Sequence, residues 1–131
     1  MQTSFFLHFS AVFLGGGCGA VLRWLLGLKL NAAWPALQLG TLTANLSGAF
    51  VIGLLVALLA AKSAWPPEIR LFCVTGLLGG LTTFSTFSSE VVQFLEKGQI
   101  GLGLATVAAN LFGSLLLTAL GLALGRYLLA P

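Results

Sequence analysis

One polar stretch interrupts this apolar chain: Gly76-Leu77-Leu78-Gly79-Gly80-Leu81-Thr82-Thr83-Phe84-Ser85-Thr86-Phe87-Ser88-Ser89-Glu90. Its three glycines weaken helical structure, and six hydroxyl residues, two aromatic residues and one carboxylate follow them. In a bilayer such a segment is costly unless it lines a water-filled cavity or an ion path. The stretch therefore predicts a helix that is broken near its middle, with a polar path beside the break.

The composition around this stretch identifies lipid as the solvent. The chain has 131 residues, of which 58% are hydrophobic and only 7% are charged, and its mean hydropathy is +1.05. Soluble domains carry roughly 25% charged residues. We therefore expect an all-α integral membrane protein. The six basic residues are scattered, which argues against a patch that binds nucleic acid.

The hydrophobic pattern predicts four transmembrane helices. A helix needs about 20 apolar residues to cross a bilayer. The predicted spans cover residues 5–28, 39–61, 69–95 and 100–129. Pro66 and Pro67 separate the second span from the third, and Gly98 suits the turn between the third and the fourth. Residues 1–131 are thus predicted to form a single four-helix transmembrane domain.

The basic residues are distributed equally between the two sides of the membrane. With four spans, one side carries Lys62, Arg70 and Arg126, and the other carries Arg23, Lys29 and Lys97. The positive-inside rule then favours neither orientation. A strongly apolar first helix is one way to fix a single orientation. We favour the alternative, in which copies insert both ways and form an antiparallel homodimer.

Two kinds of stripe recur at four-residue spacing, which places their members on one helix face. Small residues that allow close helix packing are Gly40, Ala44 and Gly48, and Gly101, Ala105, Ala109 and Gly113. Polar residues form a second set: Thr41 and Asn45, and Thr106, Asn110, Ser114 and Thr118. Such side chains can bond their own helix or glue helices together. A stripe of four is better explained by a hydrated track that faces the polar stretch.

No group of residues suits catalysis, so the chain is not expected to be an enzyme. The charged residues that remain have two interpretations each. Glu90 is either a functional intramembrane carboxylate or a vestibule residue in contact with water or Arg23. Arg23 either extends to the interface or lines an entrance that attracts anions.

The aromatic pair within the polar stretch favours anion contact. Phe84 and Phe87 are three residues apart and alternate with Thr83, Ser85 and Ser88. Aromatic ring edges are electropositive and attract a partly dehydrated anion. Simple packing in lipid or in the core is the alternative. The glycines add a second possibility, because an unwound backbone frees carbonyl oxygens that suit a cation such as sodium.

Four segments resemble the Fluc (CrcB) family of small fluoride channels. They are Gly15-Gly16-Gly17-Cys18-Gly19-Ala20-Val21-Leu22-Arg23-Trp24, Gly40-Thr41-Leu42-Thr43-Ala44-Asn45-Leu46-Ser47-Gly48, Gly79-Gly80-Leu81-Thr82-Thr83-Phe84-Ser85-Thr86-Phe87-Ser88, and Gly113-Ser114 with Thr118. The resemblance covers nearly the whole chain. It implies a passive, fluoride-specific channel in the bacterial inner membrane that exports fluoride and so reduces its toxicity.

The same resemblance implies an antiparallel, dual-topology homodimer with two pores. The implied pore and fluoride-binding residues are Asn45, Phe84, Phe87, Ser88, Thr83, Ser85, Ser114 and Thr118. Arg23 and Glu90 are implied at a vestibule or pore entrance. The backbone carbonyls of Gly79 and Thr82 from both subunits are implied to coordinate a structural sodium ion at the dimer centre. The implied partners are a second copy, the lipid bilayer and fluoride, with no nucleic acid.

Two rival functions remain at this point. A small dual-topology exporter driven by protons is the first, but such exporters depend on a carboxylate in the first span, and this first span has none. A membrane scaffold that transports nothing is the second. A scaffold does not require the hydroxyl and aromatic residues between Thr83 and Ser88.

Overall fold

The computed structural model of this protein describes residues 2–34, 37–61 and 65–130, so Lys62 lies outside the described part. Three long helices are continuous: α1 (Gln2–Ala33), α2 (Leu39–Ala61) and α6 (Ile100–Leu128). The third span, Pro67–Glu96, is made of several shorter segments. All four spans are long and apolar enough to cross a membrane. The prediction of an all-α protein with four long apolar helices is confirmed.

The third span changes its backbone geometry four times. It begins as α3 (Pro67–Arg70), continues as a π-helical segment, π1 (Leu71–Leu78), and returns to one α-helical turn, α4 (Gly79–Leu81). Thr82 (φ −83°, ψ 151°) and Thr83 (φ −151°, ψ 128°) are extended. Helix α5 (Phe84–Glu96) follows. The bend at Thr82 and Thr83 therefore lies inside the polar stretch that stands out in the sequence.

Glycines allow α1 to pack backbone to backbone against the first half of the third span. A Cβ atom at Gly15 would overlap the carbonyl oxygen of Phe72, and one at Gly19 would overlap that of Leu77. Gly80 approaches the backbone of α1 in the same way. In lipid, where apolar side chains gain little by leaving the solvent, such close packing is a main source of helix association.

A second glycine contact joins α2 to the C-terminal half of α6. A Cβ atom at Gly53 would overlap the carbonyl oxygen of Thr118, and one at Gly121 would overlap that of Phe50. The predicted packing face of α2 is buried, but Gly101 and Ala105 at the start of α6 are exposed. Within the described part of this chain no helix covers these two positions, so close packing there stays a prediction, because periodicity identifies a shared helix face without identifying the neighbour that it meets.

Small side chains lie inside the protein and large apolar ones lie outside. Among the residues that the structure describes, the buried hydrophobic ones are alanines apart from Leu78, Leu81 and Phe94. Many large apolar side chains are exposed along all four spans, including Phe13, which is 68% exposed. This distribution is the reverse of that in a soluble protein and fits a protein surrounded by lipid.

Candidate functional site

An open groove of about 530 Å³ runs between α2, α6 and the bend of the third span. Its walls are mostly apolar, but several polar groups and two aromatic rings converge on it. These lining residues are Asn45, Gly79, Thr82, Thr83, Phe84, Phe87, Asn110, Ser114 and Thr118. The groove is therefore lined both by part of the polar stretch and by most of the polar stripe of α6.

Asn45 holds the bend by pairing with the backbone of Thr83. The backbone N–H of Thr83 donates to Oδ1 of Asn45 over 2.8 Å, and Nδ2 of Asn45 donates to the carbonyl oxygen of Thr83 over 3.0 Å. Asn45 is buried, with 9% of its surface exposed. One side chain thus satisfies both backbone groups of a residue that lies outside any helix, which is a strong requirement in lipid.

Asn110 extends this network onto α6. Nδ2 of Asn45 also donates to Oδ1 of Asn110 over 2.9 Å, and Nδ2 of Asn110 donates to the carbonyl oxygen of Thr106 over 3.0 Å. This chain of bonds begins at the backbone N–H of Thr83, which can only donate, and ends at the carbonyl oxygen of Thr106, which can only accept. These two groups therefore fix the orientation of both amides. Asn110 is 6% exposed.

The hydroxyl of Thr83 begins α5. Its Oγ1 accepts from the backbone N–H of Thr86 over 3.2 Å, as an N-cap residue does. Ser85, which is exposed, contacts the same hydroxyl at 3.2 Å. The hydroxyl of Ser88 donates to the carbonyl oxygen of Phe84 in its own helix over 2.8 Å. Neither Ser85 nor Ser88 is among the groove-lining residues, unlike Thr83.

The two aromatic rings of the groove meet edge to face. The ring centroids of Phe84 and Phe87 are 5.5 Å apart, and the ring planes are 75° from parallel. Phe84 is 79% exposed, while Phe87 is partly buried. In this arrangement the electropositive edge of one ring remains available to a small anion in the groove.

Carbonyl oxygens at the bend lose the partners that a continuous helix would give them. The N–H of Thr83, four residues after Gly79, donates to Asn45, and the N–H of Thr86, four residues after Thr82, donates to Thr83 Oγ1. The carbonyls of Gly79 and Thr82 are thus released, and backbone oxygens are the ligands that hard cations prefer. Among the described residues, no group of three or more His, Cys, Asp or Glu side chains could hold a metal.

Arg23 contacts this same bend from α1. Its Nε donates to the carbonyl oxygen of Gly80 over 3.1 Å, and its side chain is partly buried. Arg23 therefore packs against the third span next to the bend, well before the end of its own helix.

Glu90 lies away from the groove, in contact with α2. Oγ1 of Thr41 donates to Oε1 of Glu90 over 2.5 Å, and the glutamate is 6% exposed. Within the described part of the chain, Oε2 has no hydrogen-bond partner. Glu90 also lines a second, smaller cavity of about 180 Å³ near the turn between α5 and α6. The other polar residues of that cavity are Gln38, Gln93, Lys97 and Gln99.

The structure thus divides the residues that the sequence singled out. The groove brings together Asn45, Thr83, Phe84, Phe87, Ser114 and Thr118, with Gly79 and Thr82 at its edge. Ser85, Ser88, Arg23 and Glu90 lie outside it. Sequence reasoning used four-residue spacing to place Asn110 in the hydrated track of α6 and Thr41 beside Asn45 on α2, but it did not include either among the pore residues. Their contacts with Asn45 and Glu90 are between helices, which spacing along one helix does not predict.

Residues 10–122 match a family model described as "CrcB-like protein, Camphor Resistance (CrcB)". The chain belongs to this family. Its curated relatives are similar over almost their whole length. One from Bordetella avium is 58% identical over 118 residues, which are 89% of this chain and 91% of the relative.

Two further relatives extend the comparison. One from Bordetella pertussis is 56% identical over 124 residues, or 94% of each chain. One from Burkholderia thailandensis is 48% identical over 126 residues, or 96% of this chain and 98% of the relative. All three relatives are named "Fluoride-specific ion channel FluC".

The contact between Thr41 and Glu90 generates a stability prediction. Thr41→Val keeps the shape of the side chain but removes the donor to Oε1, so a buried carboxyl group loses its hydrogen-bond partner. Such a loss costs about 1–3 kcal/mol. We expect a lower midpoint of thermal unfolding in detergent, measured by circular dichroism. Thr41→Ser retains the hydroxyl and is the control. Equal midpoints for Thr41→Val and the unmodified protein would contradict this role.

Proposed function

We propose that this protein is a passive fluoride channel that lets fluoride leave the cell down its electrochemical gradient. The observation that carries the proposal is the groove that Phe84 and Phe87 line together with Asn110, Ser114 and Thr118 of the polar stripe of α6. The names of the curated relatives support it. They describe an ion channel, so the prediction that the chain is not an enzyme is confirmed.

The chemistry of the groove suits a small and strongly hydrated anion. Fluoride enters a narrow path only if protein donors offset the loss of its water. The hydroxyls of Ser114 and Thr118 and the amide of Asn45 are such donors. The ring edges of Phe84 and Phe87 add a weaker attraction, so that the ion is stabilised without being trapped.

A second copy completes the path in this proposal. The groove is open along one side, and Phe84 projects from the surface with 79% of its area exposed. We take the missing wall to be another subunit in the opposite orientation, which gives an antiparallel homodimer in the bacterial inner membrane. The near-equal basic charge at the two ends of the helices supports this arrangement, because it gives the positive-inside rule no preference.

A structural sodium ion between the two copies is part of the same proposal. The carbonyl oxygens of Gly79 and Thr82 have lost their helical partners and would hold it together with their counterparts in the second copy. The ion would link the two bends by charge and is not itself transported. The third span would then be a broken helix whose break serves assembly as well as conduction.

The entrances involve the two charged residues outside the groove. The guanidinium of Arg23 lies beside the bend and raises the local concentration of anions. Glu90 and Lys97 both line the smaller cavity, beside the end of α5 and the start of α6. We assign Arg23 to a vestibule and Glu90 to a pore entrance. Ser85 follows Phe84 and Ser88 follows Phe87 on the same helix, and we keep both as pore residues that turn toward the ion.

Anion efflux from liposomes tests the function directly. Liposomes loaded with potassium fluoride and containing the purified protein should release fluoride when valinomycin carries potassium, in the absence of a pH gradient. Matched liposomes loaded with chloride should retain it. Release only under a proton gradient would indicate a coupled exporter, and no release would indicate a scaffold.

Phe87→Ile and Asn45→Asp should slow efflux at least about tenfold with the dimer intact, which corresponds to an increase of roughly 1.4 kcal/mol in the barrier to fluoride passage. Leu116→Ile, on the exposed surface of α6, is the control.

Labelling from the two sides of the membrane tests the dual topology. A single cysteine placed by Ile100→Cys, with Cys18 and Cys73 replaced by serine, marks the exposed start of α6 without changing a charge. A membrane-impermeant maleimide added to sealed inner-membrane vesicles should label about half of the protein, because the two orientations are equally populated. Permeabilised vesicles give the total. Labelling of all or none of the protein in sealed vesicles would refute dual topology.

Sodium dependence of dimer stability tests the structural ion. An ion that binds only the assembled dimer stabilises it by about 1.4 kcal/mol for each tenfold rise in free ion above its dissociation constant. We expect the unfolding midpoint in detergent to rise with sodium chloride and to stay constant when N-methylglucamine chloride replaces it at equal ionic strength. Identical midpoints in the two salts would remove sodium from the account.

A further inference from the structure

The side-chain amide of Asn45 has no spare donor in this structure. An amide nitrogen carries two hydrogens. One is directed to the carbonyl oxygen of Thr83 and the other to Oδ1 of Asn110, over 3.0 and 2.9 Å. An anion in the groove can therefore bind this amide only by replacing one of these two acceptors. This argument rests on the proposed function, in which an anion moves along the groove.

The two bonds are not equally replaceable. The bond to Thr83 is one of a pair, since the N–H of Thr83 donates back to Asn45 Oδ1. Breaking it would disrupt the pair of bonds through which Asn45 holds the only extended segment of the span in a solvent that offers no replacement partner. The bond to Asn110 joins two side chains and involves no backbone group at the Asn45 end. Rotation of the Asn110 side chain is enough to break it.

We propose that Asn110 competes with the transported anion for Asn45 and thereby contributes to selectivity. Both residues line the groove, so the bond between them lies at its wall. A hydrogen bond to an ionised acceptor is about twice as strong as one to a neutral carbonyl. Fluoride concentrates its charge on a small sphere and displaces the carbonyl oxygen of Asn110. Chloride, which is a larger and weaker acceptor, does not.

Two substitutions at Asn110 form a matched pair for the test. Asn110→Ala and Asn110→Asp both remove the Nδ2 donor to the carbonyl oxygen of Thr106. They therefore share that structural cost. They differ in the acceptor offered to Asn45, because alanine offers none and aspartate offers a stronger one.

Liposome efflux over a range of fluoride concentrations is the measurement. We expect Asn110→Ala to lower the half-saturating fluoride concentration by roughly three- to tenfold, the size of one competing hydrogen bond, and to increase chloride release. Asn110→Asp should raise the half-saturating concentration. A purely structural role predicts impaired transport in both variants, with no gain in fluoride affinity. An unchanged or raised half-saturating concentration in Asn110→Ala would overturn the proposal.

A second measurement uses the unmodified protein and does not depend on how the variants fold. In nuclear magnetic resonance spectra of detergent-solubilised protein, fluoride should shift the side-chain amide signals of Asn45 and Asn110 with the same half-saturating concentration. A shift of Asn45 without Asn110 would overturn the competition. Efflux from the unmodified protein tests the proposed function separately, since fluoride binding to this amide pair is detected whether or not the ion crosses the membrane.

Discussion

The paired hydrogen bonds between Asn45 and the backbone of Thr83 are the interaction on which the rest of the site depends. A transmembrane segment cannot leave helical geometry unless another group satisfies its N–H and C=O, since lipid offers none. Asn45 satisfies both groups of Thr83 at once. Because the N–H of Thr83 is taken by a side chain, the carbonyl of Gly79 is released, and Thr83 is free to cap a new helix that carries Phe84 and Phe87 into the groove.

Glycine contacts bring the other helices close enough for this interaction. Gly15 and Gly19 let α1 lie against π1 and α4, which places Arg23 within reach of the carbonyl oxygen of Gly80. Gly53 and Gly121 hold α2 against α6, so that Asn45 meets Asn110 across the two helices. The small residues therefore act on function indirectly, by setting the distances between the few polar groups that the bilayer tolerates.

The sequence predicted correctly those features that depend on one helix alone. Hydropathy and length predicted the four spans, and the spacing of Phe84 and Phe87 predicted a shared face. Contacts between helices could not be predicted in the same way. Periodicity gave Thr41 and Glu90 no reason to meet, and it did not show that Ser88 bonds its own helix in this structure. These outcomes depend on the relative rotation of the helices, which is set by backbone contacts at glycines.

Amide hydrogen exchange at Thr83 tests this account most directly. The N–H of Thr82 donates to the carbonyl oxygen of Leu78 within the span and serves as an internal reference, whereas that of Thr83 depends on Asn45. The account predicts slow exchange at both residues in the unmodified protein. In Asn45→Ala it predicts exchange at least about tenfold faster at Thr83, which is a loss of roughly 1.4 kcal/mol of protection, with Thr82 little changed. Equal protection of Thr83 in the two proteins would contradict it.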